Sequence, residues 1–170
     1  SAVQSETHTF DSNKAVDRGT HPLTPGGLTP KNYAISFVSG ALTILPAPAT
    51  VKAIDKSKTY GNSNPTLEAT VTGRPTYGDG IQYSLAATAG KVSGVTGGPY
   101  PITVTLGANP NYIVTAIDGA LVITTRPATV KANNKSKAYG NANPALDATV
   151  SGQVTGGDAI EYTLATTAAE

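Results

Sequence analysis

The residues able to do acid–base or nucleophilic chemistry are few and scattered. The chain has two histidines, His8 and His21, and no cysteine. Neither histidine stands in a nucleophile motif, and a lone histidine is more often a surface residue than a catalyst. Carboxylates come singly, at Asp55, Asp79, Asp118, Asp147 and Asp158, without the alternating aspartates of a calcium loop. The glycine-rich "VSGVTGG" from Val92 is followed by no Gly-Lys-Ser/Thr and opens no helix, so it lacks the parts of a phosphate cradle. Asn134-Lys135-Ser136 has the glycosylation spacing, but Asp55 holds the equivalent place elsewhere in the chain, and the match reads as coincidence. The residues therefore point to no catalytic, metal-ligating or cofactor-binding set and to no cofactor. The ligand-binding residues are unknown at this level.

Bulk properties narrow the partners. In 170 residues the net charge is +1 and charged residues make up 14%. That is no electrostatic footprint for nucleic acid or for an anionic membrane. No apolar run approaches the roughly 18 residues that span a bilayer, so no membrane insertion is expected in this segment. Without cysteine there are no disulfides, thiolate catalysts or Cys-ligated zinc. The opening "SAVQSETHTF" has no basic or apolar leader region and no Met, which reads as a processed chain or a piece of a longer one.

The chain repeats itself. "TVKAIDKSKTYGNSNPTLEATVTG" at Thr50 returns as "TVKANNKSKAYGNANPALDATVSG" at Thr129, 79 residues later. About two-thirds of positions match between 48–91 and 127–170, which is unmistakable internal repetition. The same offset lays "NYAISFVSGALTIL" from Asn32 over "NYIVTAIDGALVIT" from Asn111. Three segments follow. Residues 48–126 form a complete unit, 1–47 the back part of a preceding unit that diverges before His21, and 127–170 the front part of the next. The out-of-phase ends fit either an excerpt from a longer array or head-to-tail completion of one chain by another.

Within a unit the apolar period is two. Leu67, Ala69 and Val71 share a face, as do Ile81, Tyr83 and Leu85, and Ile102, Val104 and Leu106. The recurring sets Leu67, Val71, Ile81, Tyr83, Leu85 and Leu146, Val150, Ile160, Tyr162, Leu164 are expected to be buried alike. Asp118-Gly119 reads as a two-residue hairpin turn with Gly at a positive φ, and Ser39-Gly40 as its counterpart. Lys52, Lys56 and Lys58 read as one lysine-studded face protecting an exposed sheet edge. Gly78-Asp79 and Gly157-Asp158 read as turn chemistry. Tyrosines paired at 33/112, 60/139 and 83/162 suggest core and corner roles.

About five to seven short strands per unit, with no helical period, predict an all-β fold. We expect tandem small β-sandwich domains of immunoglobulin-like type, with a β-grasp-like arrangement as the alternative.

At "KSKTYGNSNP" and "KSKAYGNANP", each with its Tyr-Gly and Asn-Pro, and at "GPYPITVTLGANPNYIVTAIDGALVIT", the chain resembles the MBG (mostly beta, glycine-rich) repeat domain, YGX type. The resemblance covers about 21–170. It implies tandem arrays in bacterial surface adhesins, an extracellular or cell-surface location and no catalytic residues. The expected function is a non-enzymatic structural module of a stalk or filament, whose partners are adjacent repeat units of the same or a neighbouring chain. The alternative is a carbohydrate- or protein-binding module that recognises a host or surface glycan or protein through its loops.

Overall fold

A computed structural model describes residues 16–27 and 31–168. His8 lies outside the described residues. Eleven strands and no helix are present among them. They are β1 (Gly19–Leu23), β2 (Gly40–Ile44), β3 (Ala47–Ala53), β4 (Lys56–Thr59), β5 (Ala69–Thr72), β6 (Tyr83–Ala87), β7 (Tyr100–Leu106), β8 (Tyr112–Ile117), β9 (Gly119–Thr124), β10 (Thr129–Ala132) and β11 (Ala148–Ser151). The fold is all-β and sandwich-like.

By compactness the chain divides into two units, each interleaved in sequence. The first holds residues up to Lys52, Ala69–Leu85 and Val104–Ile117. It contains the antiparallel pair β1-β2 and a three-stranded sheet in the order β5-β3-β8. In that sheet β3 runs parallel to β8, with Ala47 opposite Tyr112 and Val51 opposite Ala116. The second holds Ala53–Glu68, Ala86–Thr103 and the chain from Asp118 onward. Here β4 runs parallel to β9, β9 antiparallel to β7, and β10 pairs antiparallel with β11. A four-stranded sheet has the order β4-β9-β7-β6.

The 79-residue offset is visible in the pairing itself. His21 faces Leu42 and Leu23 faces Gly40, while Tyr100 faces Leu121 and Ile102 faces Gly119. Turn hydrogen bonds repeat too. Ile54 N–H donates to Glu68 O at 2.9 Å and Asn133 N–H to Asp147 O at 3.0 Å. Asn64 Nδ2 donates to Ala89 O and Asn143 Nδ2 to Ala168 O.

Burial follows the period of two where strands are covered. Ala49, Val51 and Ala53 on β3, Ile102 and Val104 on β7, and Leu121 and Ile123 on β9 are all buried, joined by Ile81, Ala89 and Tyr112. All ten lie within 48–126. The expectation of equal burial in the two recurring sets holds for Val71/Val150, Tyr83/Tyr162 and Leu85/Leu164 but fails for two pairs: Leu146 is 39% exposed where Leu67 is half-buried, and Ile160 is half-buried where Ile81 is buried. Residues 127–168 contribute only β10 and β11, so their apolar faces meet fewer covering strands. Tyr83 is itself exposed, so its alternation with Ile81 and Leu85 did not mark an inward side chain.

Two further expectations are corrected. Asp118-Gly119 is no hairpin turn: Ile117 ends β8 in the three-stranded sheet and Gly119 opens β9 in the four-stranded one. Neither Gly119 nor Gly40 has a positive φ. A Cβ at Gly119 would stand 3.0 Å from Ala53 O and 3.2 Å from Ala53 C, so close backbone approach is what keeps this position small. The lysine face is also not one face. Lys52 is exposed on β3, whereas Lys56 and Lys58 belong to β4, and Lys58 is buried. The chain breaks its strand at Ile54-Asp55, where the Asp55 carboxylate accepts from Ala120 N–H at 2.8 Å.

Candidate functional site

The polar residues gather around two Gly-Asp turns, one in each compact unit. In the first unit, Gly78 N–H donates to Pro75 O at 3.1 Å and closes the turn. The Tyr112 hydroxyl donates to Asp79 O at 2.9 Å, from a buried ring at the start of β8. A Cβ on Gly78 would collide with that hydroxyl, so glycine is what admits the phenol. Asn111 Nδ2 donates to Asp79 Oδ2 and to Asp17 Oδ1, both at 2.8 Å, while its Oδ1 accepts from Arg18 N–H at 3.0 Å. One amide thus ties the 17–18 stretch to the Asp79 turn. A cavity of about 190 Å³ beside it is lined by Val16, Arg18, Ile44, Pro75, Gly78 and Asp79, among others.

In the second unit the corresponding turn is closed by Gly157 N–H donating to Val154 O at 3.0 Å. Here the tyrosine comes from the other direction in sequence. The Tyr60 hydroxyl accepts from Asp158 N–H at 2.8 Å, and a Cβ on Gly157 would again strike the phenol. Gly61, at φ +83°, lies so close to Val154 that a Cβ there would overlap the valine methyls. Arg126 completes the contact. Its Nε donates to Gly152 O at 3.2 Å and its NH1 to Asn62 Oδ1 at 3.2 Å. The cavity here, about 320 Å³, is lined by Tyr60, Val95, Arg126, Gln153, Val154 and Asp158, among others. Val16 and Val95, Pro75 and Val154, Asp79 and Asp158 are pairs at the repeat offset of 79, so both cavities form at the same place in the repeat.

Charge around these turns is modest. Lys56 pairs with Glu68, and Lys135 with Asp147 at 2.8 Å. Hydrogen bonding to the Lys56 ammonium, reinforced by its charge, holds the Glu68 carboxyl below its usual range. The hydrogen bond from Lys135 does the same for Asp147. His21 sits on β1 with Nε2 3.1 Å from Asp17 O, a contact in which the ring nitrogen must donate. Among the described residues no cluster of three or more His, Cys, Asp or Glu could hold a metal ion.

Sequence reasoning found the Gly-Asp turns and the paired tyrosines but assigned neither a partner. Arg126 carries no repeat signal, since Ala47 stands in its place in the earlier copy, and Asn111, which recurs as Asn32, reads only as the start of a strand segment. Two of the three tyrosine pairs also prove unequal, while Tyr83 and Tyr162 are both exposed. Tyr112 is buried and Tyr60 half-buried, whereas Tyr33 is 80% exposed and Tyr139 fully so.

No curated protein and no solved structure matches the chain. A family model described as MBG domain (YGX type) matches residues 49–122 and 128–170. The two matched stretches begin 79 residues apart, and the second includes the Gly-Asp turn on which Tyr60 is seated. The family suggests a structural repeat module and is typical of surface-associated proteins. No helix among the described residues is long and apolar enough to cross a membrane. With Tyr60-Gly61 and Tyr139-Gly140 as its two tyrosine-glycine signatures, the chain belongs to the MBG domain family, YGX type.

Proposed function

We propose that this chain is a non-enzymatic spacer of an extracellular bacterial adhesin, stalk or filament, built from 79-residue units of which 48–126 is the complete one. The observation that carries this reading is the seating of Tyr60-Gly61 on the Val154–Asp158 turn, with Arg126 bonded on both sides of the contact. Those residues come from the front of one unit, its last linker and the front of the next. A spacer needs successive units held at a set angle, and one hydroxyl, one glycine contact and a forked guanidinium restrict that angle without new chemistry. The Pro-containing linker "TTRPAT" limits hinge freedom further.

Spin labels at Ser57 and Thr149 test the reading, because both sites are exposed and lie on either side of the contact. A single narrow distance distribution is expected, broadening in the Tyr60→Ala/Arg126→Ala chain while thermal unfolding still shows a folded protein. An unchanged distribution in that variant removes the junction. Specific binding of the intact chain on a glycan array would replace the spacer reading with the recognition module.

A further inference from the structure

The chain that opens the complete unit and the chain that closes it are hydrogen-bonded neighbours, twice over. β3 pairs in parallel with β8 over six residues, from Ala47 opposite Tyr112 to Lys52 opposite Ile117. β4 then pairs in parallel with β9 over four, from Lys56 opposite Leu121 to Thr59 opposite Thr124. Each pair lies within its own compact unit. Backbone bonds carry the pairing past the strand ends: Ala47 N–H donates to Asn111 O at 3.0 Å and Tyr60 N–H to Thr124 O at 2.9 Å. Between the two pairs, β3 and β4 break at Ile54-Asp55, and β8 and β9 at Asp118. There the Asp55 carboxylate takes the Ala120 N–H, so a side chain supplies a bond that the interrupted ladder lacks.

Parallel pairing of first and last strands has a mechanical consequence. The chain continues on both sides of residues 48–126, so tension along it enters at the start of β3 and leaves at the end of β9. In a parallel pair, the start of one strand and the end of its partner lie at opposite ends of the ladder. Opposite pulls at those points slide one strand along the other, and the evenly spaced bonds bear the load together. Strands pulled apart from the same end of a ladder give way one bond at a time. β5, β6 and β7 come between the paired segments in sequence, so load reaches them only after the pairs have parted.

We infer that the β3–β8 and β4–β9 pairs are a tension clamp, with Asp55 as the stitch between them, and that bearing load along the chain is a further function of the unit. The inference rests on the spacer reading and gives it a mechanical role.

Single-molecule pulling of the 170-residue chain tests it. The chain has no cysteine, so introduced cysteine pairs place the handles. Leu45→Cys/Thr125→Cys loads the strands in shear, and Leu45→Cys/Ala108→Cys peels β3 from β8 at their shared starting end. Leu45, Ala108 and Thr125 are all exposed, so the fold is kept, which thermal unfolding verifies. At one loading rate the shear pair should rupture at about threefold higher force or more, because six pairings share the load in one direction and the first bears it alone in the other. Shear rupture should release the unit in one step, with roughly 3.5 Å of extended chain for each residue between the handles. Forced rupture reads the barrier to unfolding, so Asp55→Ala should lower the shear force. It should leave the peeling force unchanged, since peeling starts at the end of β3 away from Asp55. Equal forces in the two directions overturn the inference, as does a shear force that Asp55→Ala does not change. The spin-label experiment on Ser57 and Thr149 reads the Tyr60 contact without load, so either reading can fail alone.

Discussion

The Lys58 ammonium reaches Gly90 O at 2.6 Å across 32 residues of chain, from a side chain only 7% exposed. A second carbonyl, Asn62 O, accepts from it at 3.1 Å. These two acceptors explain why a charge tolerates this depth: each replaces part of the water shell that burial removes. The lysine ties the turn after β4 to the loop after β6. Its copy Lys137 is exposed.

Lys58→Met should lower unfolding free energy by about 1–3 kcal/mol, because two carbonyls lose their donor in a site that admits little water. Lys137→Met should cost much less. Urea unfolding of both variants, compared at equal slope, checks the difference. Equal losses would mean that the Lys58 contacts are not what stabilises this loop.

At Gly119 the obstacle is the backbone of Ala53, not the dihedral angle. Gly119→Ala should therefore already destabilise, by about 1–3 kcal/mol, since the new methyl meets a carbonyl that cannot rotate away. Gly119→Val should cost at least as much. Thermal unfolding of the 170-residue chain measures both, and an unaffected Gly119→Ala would show that β9 can shift off Ala53.

Gly61→Ala and Gly140→Ala form a matched pair. Both replace a glycine at φ +83°, which costs about 1–2 kcal/mol in either place. Only at Gly61 does the methyl also meet Val154. The Gly61 variant should be the less stable by about a further 1–3 kcal/mol, measured by urea unfolding of the two chains side by side.

Acid should weaken the fold through Glu68 and Asp147. Both carboxyls have folded-state pKa values lowered by their lysines. A lowered pKa means that their stabilisation is fully present above the unfolded-state value and is lost as pH falls through the folded-state value. The Glu68→Gln/Asp147→Asn chain should lose part of the fall in melting temperature on going from neutral pH to below the carboxylate range. Both acids are exposed, so the difference should be small and should shrink in salt.

The parts of this molecule that depend on neighbours in sequence were legible. The 79-residue offset, the two-residue period of β7 and the Tyr-Gly and Gly-Asp turns are local properties, written by glycine, proline and alternation. The family could be named from them. Strand partnership was not local. "NYIVTAIDGALVIT" has the composition of a hairpin, yet β8 pairs in parallel with β3 and β9 with β4, because strands distant in sequence compete for the same backbone edges. A period of two says which residues share a face, not whether anything covers it. Hence Leu67 and Leu146, alike in sequence, differ in exposure. The same holds for the site. Tyr60 and Tyr139 sit in near-identical decapeptides, and only the chain folded against the first makes it a contact and leaves the second in solvent.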